Sequence, residues 1–345
     1  MRRFMFVLTA IAAVSGAALF ATTDRGYACA GLIGSNGAVN LGRTTTLAGY
    51  HDGVEHYVTS FEFAGGGGQF GTLIPLPDVP SKVERGGAWT LQRLQRETEF
   101  DNVRALSAAS AEGNALKDAE VLQQIRIDAL DITVLKGGGP AVAKWAQEHG
   151  FRLSPDAPEV LEFYASRSPI FLAAVFDGEA ARARGQELGD GTPVHLTIPT
   201  ARPWVPLRIL GLGKKSTDRI NADVFLITDA KPRLLPAPGN GMELTHSDKA
   251  TESLLNDLRS DDGGDWVPQS AWLTKLTIDS DASQLTYDLS VDPTGKGAPS
   301  QVAAGLASVE TNSDDGFDRT FLIGLGILAV LVAGFAVATR KLGAK

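Results

Sequence analysis

The sequence predicts an α+β protein: a largely antiparallel, sheet-rich ectodomain with a few packed helices, followed by one C-terminal transmembrane helix. Three observations predict it. Segments rich in threonine, valine and aromatics recur between glycine and proline turns, as antiparallel strands do. Two stretches, Pro140–His149 and Pro158–Ser166, carry apolar residues at helical spacing. Phe321–Ala338 is an uninterrupted apolar run that as a helix would span ~27 Å, close to the hydrocarbon thickness of a bilayer.

At the N-terminus, Arg2 and Arg3 precede the apolar Phe4–Ala21, and Gly26 and Ala28 occupy small-residue cleavage positions. Residues 1–28 read as a signal peptide. An uncleaved leader would make a second span. Cleavage after Ala28 leaves Cys29 first, where lipidation is an alternative, although Gly26-Tyr27-Ala28 lacks the usual aliphatic residue.

Residues 29–290 form the expected domain. Arg43–Ala48 and Val54–Phe63 read as strands around an Asp52-Gly53 turn, and Phe70–Ile74 follows a Gly65–Gly68 turn. That glycine run lacks the Gly-Lys-Ser/Thr of a phosphate loop. Trp89–Glu99 is helical in composition, Ala105–Asp118 is a weak helix or surface insertion, and two strands meet near Asp128–Asp131. Gly137–Gly139 leads into a helix with Pro140 in its first turn and Gly150 as its stop. Its apolar face carries Val142, Trp145 and Ala146, which should pack on Phe171 and Val175 of the buried strand Pro169–Phe176. Further strands are expected at Val194–Ile198, Trp204–Leu210 and Val224–Ile227, a helix at Asp248–Arg259, and a closing hairpin at Trp272–Ile278 and Leu285–Val291.

Residues 291–320, poor in apolar patterning, read as a flexible stalk with a root-mean-square reach of roughly 30 Å. Residues 321–338 are the span and 339–345 a basic tail. Arg340, Lys341 and Lys345 place that tail in the cytoplasm and the domain outside, in a single-pass cell-membrane protein.

The formal net charge is −8; leader and tail carry +2 and +3, leaving about −13 on the exposed part. An acidic ectodomain argues against nucleic acid as a partner. A single cysteine excludes an internal disulfide, a dithiol redox pair and a cysteine-based zinc site.

Several blocks resemble a bacterial family known only as domain of unknown function 2330. They are Ala28-Cys29, Gln69–Pro77 (QFGTLIPLP), Leu130–Phe151 (LDITVLKGGGPAVAKWAQEHGF), Leu161–Asp177, Pro203–Gly211 and Trp272–Leu289. The resemblance implies one exported domain, in many members with a C-terminal span, and supplies neither an activity nor catalytic residues. Many members have a second cysteine soon after the first; here Cys29 stands alone.

The five histidines are His51, His56, His149, His195 and His246. His51 and His56 flank the Asp52-Gly53 turn, with Glu55 beside them, but zinc needs further converging donors, and a solvated hairpin tip is the expectation. His149 reads as a helix-end residue, His195 as a solvent-facing strand residue and His246 as part of a polar loop. The Asp261-Asp262-Gly263-Gly264-Asp265 loop lacks calcium-loop spacing and reads as a solvated turn. No Gly-x-Ser-x-Gly or Ser-x-x-Lys occurs. The sequence therefore assigns no catalytic, cofactor-binding or metal residue. It points to a non-enzymatic binding module of the cell envelope, anchored in the lipid bilayer through residues 321–338, with an envelope protein or peptide as partner. The alternative is a membrane-anchored hydrolase of an unrecognised type.

Overall fold

A computed structural model describes residues 26–27, 31–34, 37–38, 43–61, 70–98, 120–183, 192–239 and 241–308. The leader apart from Gly26–Tyr27, Cys29, Gly65–Gly68, Ala105–Asp118, and residues 321–338 and 339–345 lie outside the described residues. Among the described residues no helix is long and apolar enough to cross a membrane. The chain divides into two units, Met1–Ala307 and Ser308–Lys345.

In chain order the first unit contains β1 (Gly26–Tyr27), β2 (Gly31–Gly34), β3 (Gly37–Ala38), β4 (Arg43–His51), β5 (Val54–Phe61), β6 (Phe70–Leu76) and β7 (Lys82–Arg85). Then come α1 (Thr90–Thr98), β8 (Glu120–Ile127), β9 (Leu130–Lys136), α2 (Gly138–Glu148), α3 (Ala157–Ala165), β10 (Ile170–Phe176) and α4 (Gly178–Ala183). The remainder is β11 (Thr192–Pro199), β12 (Trp204–Val205), β13 (Arg219–Thr228), β14 (Arg233–Leu235), β15 (Met242–Lys249), α5 (Glu252–Ser260), β16 (Trp272–Asp281) and β17 (Leu289–Asp292). The α+β class and the mostly antiparallel pairing agree with the sequence.

Two sheets stack. One runs β15-β16-β13-β4-β5-β11-β7, with β1 also on β4; the other runs β3-β2-β6-β10-β9-β8. Alternation assigns each strand residue to a face. Tyr57, Leu196, Val224 and Leu276 of the first sheet meet Ile74, Ile132, Leu172 and Phe176 of the second in one core. On the outer side of the second sheet, Phe171, Ala173 and Val175 pack with Val142, Trp145 and Ala146 of α2 and Leu161 and Tyr164 of α3. On the outer side of the first, Leu47, Val58, Phe225 and Ile227 pack with Leu91 and Leu94 of α1 and Leu254, Leu255 and Leu258 of α5. The result is a helix–sheet–sheet–helix stack.

The glycine loop and α2 form as expected, with Gly137 and Gly138 at positive φ, 136° and 69°. Trp145 is 2% exposed in one cluster with Phe171 and Val175. Trp145→Ala should therefore cost ~3–5 kcal/mol in chemical denaturation; a tolerant variant would refute this packing.

Four expectations need correction. Trp204–Leu210 is extended only at Trp204–Val205, because Pro206 offers no N–H to a ladder; a 3₁₀ turn, Arg208–Gly211, follows. The helix expected from Asp248 starts at Glu252, where Thr251 Oγ1 accepts from Leu254 N and caps it, while Asp248 and Lys249 finish β15. β16 and β17 are not a hairpin: β17 lies between β12 and β14 in a separate three-stranded sheet. The stalk does not begin at 291. β17 runs to Asp292, Ala303 and Ala304 are buried, and Asp288 N donates to Ala304 O at 3.0 Å. Backbone and polar bonds hold this segment, so hydrophobic patterning could not reveal it.

Candidate functional site: a buried histidine pair

β4 and β5 are joined by Asp52-Gly53 at positive φ, 50° and 80°, the primed turn that suits a tight hairpin. The hairpin does not bring His51 and His56 together. His51 turns to Asp229, Nδ1 to Oδ1 2.6 Å, with Asp52 3.4 Å from its other nitrogen. His56 lies on the α1–α5 face of the sheet and is not solvated, being 9% exposed.

Its partner is His195 of β11, distant in sequence and adjacent in the sheet. His56 Nδ1 and His195 Nε2 are 3.0 Å apart. The solvent-facing expectation for His195 is thus wrong; it is 3% exposed. The alternation of Val194, Leu196 and Ile198 shows one buried face of β11, but cannot show that a helix layer buries the other.

The ring centroids are 5.2 Å apart. That is the nitrogen gap plus about one ring radius at each end, so the two nitrogens lie on the line joining the rings. A hydrogen bond has this geometry; two imidazoles sharing a metal would converge at an angle. No group of three or more histidine, cysteine or acidic side chains capable of holding a metal occurs among the described residues. Glu84 Oε1 of β7 lies 3.5 Å from His195 Nδ1, beyond hydrogen-bond reach, and Glu84 Oε2 is 2.7 Å from Lys82 Nζ. The carboxylate favours the tautomer with a proton on His195 Nδ1, which makes His56 Nδ1–H the donor to His195 Nε2.

Trp266 lies over the pair, stacked on His56 with centroids 4.3 Å apart and planes 4° from parallel. A side chain at Gly49 would collide with it, an ideal Cβ falling 2.0 Å from the ring. Trp266 arrives on the Asp261-to-Asp265 loop, which is no free solvated turn. Asp261 accepts from Ala88 N, Trp89 N and Thr90 Oγ1, bracing the start of α1 from a distant segment. Under the loop is a cavity of ≈ 10 Å³, lined in part by His195, Thr90, Asp262 and Trp266. That is room for about one water.

Burial is the main reason both rings stay neutral. It pulls His56 down to about 3, with His195 and then His51 adding to the effect. It pulls His195 down to about 4 against the opposing pull of Glu84.

On the opposite face of β5, Glu55 is 1% exposed, and the Trp204 amide faces its carboxyl without reaching full hydrogen-bond geometry. Burial pushes its carboxyl up to about 8, while the Trp204 amide pulls weakly the other way. Two neighbouring residues in one strand are thus perturbed in opposite senses, a feature that sequence reading missed.

The remaining candidates are structural. His149 ends α2 with Nδ1 2.8 Å from Trp145 O, as expected. His246 sits in β15, not in a loop. β15 is an edge of the large sheet, and beside it runs an open groove of ≈ 450 Å³ lined by Pro238, Gly239, Met242, Leu244, Glu243 and Asp279, among others.

The chain belongs to the family described as "Uncharacterized protein conserved in bacteria (DUF2330)", whose model matches residues 27–291. No curated protein matches the sequence. Among solved structures, a mutated baculovirus P35 after caspase cleavage is 9% identical with a TM-score of 0.39, over 72% of this chain and 99% of that one. Baculovirus P35 itself is 10% identical with a TM-score of 0.38, over 73% and 96%. Similarity at this level carries no inference about activity.

Proposed function

We propose that the protein is a membrane-tethered, extracytoplasmic binding module of the bacterial cell envelope that takes an extended, basic segment of an envelope protein or peptide. The observation that supports binding is the groove along β15. Past Met242, whose N–H and C=O are already paired with Gly239, its strand edge offers backbone groups to an added strand, exposed Leu244 offers an apolar contact, and Glu243 and Asp279 make the lining acidic. Asp279 is already paired with Arg219 at 2.5 Å, so Glu243 carries most of the charge selectivity. The membrane part of the proposal rests on Phe321–Ala338 and the basic residues after it. The hydrolase alternative is less well supported, because the cavity that His195 lines has space for only about one water.

Two readouts test this. Protease added outside spheroplasts should remove the domain and spare a reporter fused after Lys345; the reverse pattern would refute the topology. An alternating valine–lysine peptide should bind the full-length protein more tightly than a valine–glutamate peptide, and Glu243→Lys should abolish that preference. Equal binding of the two peptides would refute the groove.

A further inference from the structure

We propose that the loop Asp261–Val267 is an acid-operated latch, held shut over the sheet by the His56–His195 hydrogen bond and released when both rings carry a proton. This goes beyond the binding role and does not depend on it.

Proton counting gives the mechanism. The neutral pair shares one N–H between Nδ1 of His56 and Nε2 of His195. A first added proton goes to His195, the ring with the higher proton affinity; its Nε2–H then donates to His56 Nδ1, His56 keeping its own proton on Nε2, and the bond survives with its direction reversed. A second proton needs His56 Nδ1, now the acceptor. Two N–H groups then face each other across 3.0 Å, two like charges in a buried site where repulsion is weakly screened. The rings must part.

The strands cannot yield easily. β5 and β11 are paired in register from Phe61–Thr192 to Val54–Pro199. The loop is the softer side. Trp266 lies flat on His56, and Gly263, at φ 73°, approaches His195 so closely that an added Cβ would lie 3.1 Å from Nδ1. Movement of either ring therefore displaces the loop. Its own bonds are Asp261 N to Leu258 O, Asp262 N to Asp261 Oδ1, Gly264 N to Asp261 O, Val267 N to Gly264 O, the Asp261 carboxylate on the start of α1, and Arg259 Nη1 on the carbonyls of Val267 and Pro268, against a full ladder between the strands.

The surrounding charges set how sharply the latch works. Glu84 from β7 stabilises a charged His195 but is shared with Lys82. His51 at the end of β4 opposes charge on His56. From the loop, Asp262 lines the cavity, while Asp261 is committed to the start of α1. Arg85, the neighbour of Glu84, turns away to Asp128. The low proton affinity of both rings agrees with the geometry: no single neighbouring carboxylate compensates two charges. Opening would uncover Leu47, Val58, Leu258 and Val267 around the cavity.

Hydrogen exchange of the full-length protein between pH 6 and pH 3 tests the proposal. The Gly264 and Val267 amides should lose protection while those of β13 keep theirs. Between about pH 5.5 and pH 4.5, below the ordinary imidazole value of 6.5 and above the closed-state values of about 3 and 4, opening in the wild type should grow about a hundredfold per pH unit, the signature of two protons, against about tenfold in His195→Gln. Loss of protection in the loop and β13 together, or an unchanged steepness in the variant, would overturn it. Should His195→Gln not fold, ring NMR of the wild type decides. Uptake of both protons together with loop release supports the latch; two charged rings under a protected loop refute it.

Discussion

Asp288→Ala is expected to unfold most of the protein at room temperature. Asp288 is fully buried, and its carboxylate accepts from Tyr164 OH at 2.9 Å, Leu207 N at 2.7 Å, Arg208 N at 3.0 Å and Arg167 Nη2 at 2.6 Å. Arg167, its side chain 5% exposed, lies 4.0 Å from the ring of Phe163 and 5.0 Å from those of Tyr164 and Trp204. Removing one partner of a buried ion pair costs ~3–5 kcal/mol, because the survivor is left uncompensated. Each orphaned buried donor adds ~1–3 kcal/mol. The sum is comparable with the whole stability of a typical domain, about 5–15 kcal/mol. The network also holds the C-terminal segment, since Arg167 Nη1 donates to Ala303 O at 2.5 Å. Urea denaturation is the check, and a loss below about 1.5 kcal/mol would contradict this account. Adding Arg167→Met to Asp288→Ala should recover part of the loss, since no charge is then stranded.

Glu55→Gln should act in the opposite direction and stabilise the protein at neutral pH. The sign follows from linkage. The unfolded carboxyl ionises near its ordinary 4.5, whereas the folded one holds its proton up to about 8. Its contribution is therefore complete below 4.5 and is lost as the pH rises towards 8. Each unit of separation is worth about 1.4 kcal/mol, so at pH 7 the wild type forgoes roughly 3 kcal/mol that an uncharged amide of the same shape keeps. The charged groups near this face include Asp229, and Tyr50, whose own pKa is raised by burial and then by Glu55. Denaturation at pH 4.5 and 7 should show a gap between variant and wild type that closes in acid. A gap of equal size at both pH values would show that the carboxyl is ionised in the fold.

The parts legible in the sequence are those whose causes are local. The Asp52-Gly53 turn, the glycine entry to α2, the apolar face of that helix and the doubly buried β10 all carry their explanation within about ten residues. The histidine pair does not: His56 and His195 meet only because β5 and β11 are neighbours, 139 positions apart. Glu55 read as one more polar residue at a hairpin tip, since the segment that meets its carboxyl, Trp204 of β12, is distant in sequence. Asp261 looked like part of an acidic turn because its donors are in the segment before α1. Residues 293–307 looked like linker because Arg167 and Asp288, rather than an apolar stripe, hold them.

The parallel pairing of β4 with β13, from Arg43–Asn221 to Tyr50–Thr228, has a consequence for how the chain becomes a protein. β5 and β11 complete one side of β4 from the first 199 residues, but the other side waits for residues 219–281. A chain delivered N-terminus first therefore carries a half-built sheet with a bare central edge through much of its appearance. Contacts so distant in sequence close slowly, and a bare edge invites other strands meanwhile. Folding of the large sheet is thus tied to the arrival of β13, and a chain that stalls before it exposes its most aggregation-prone surface.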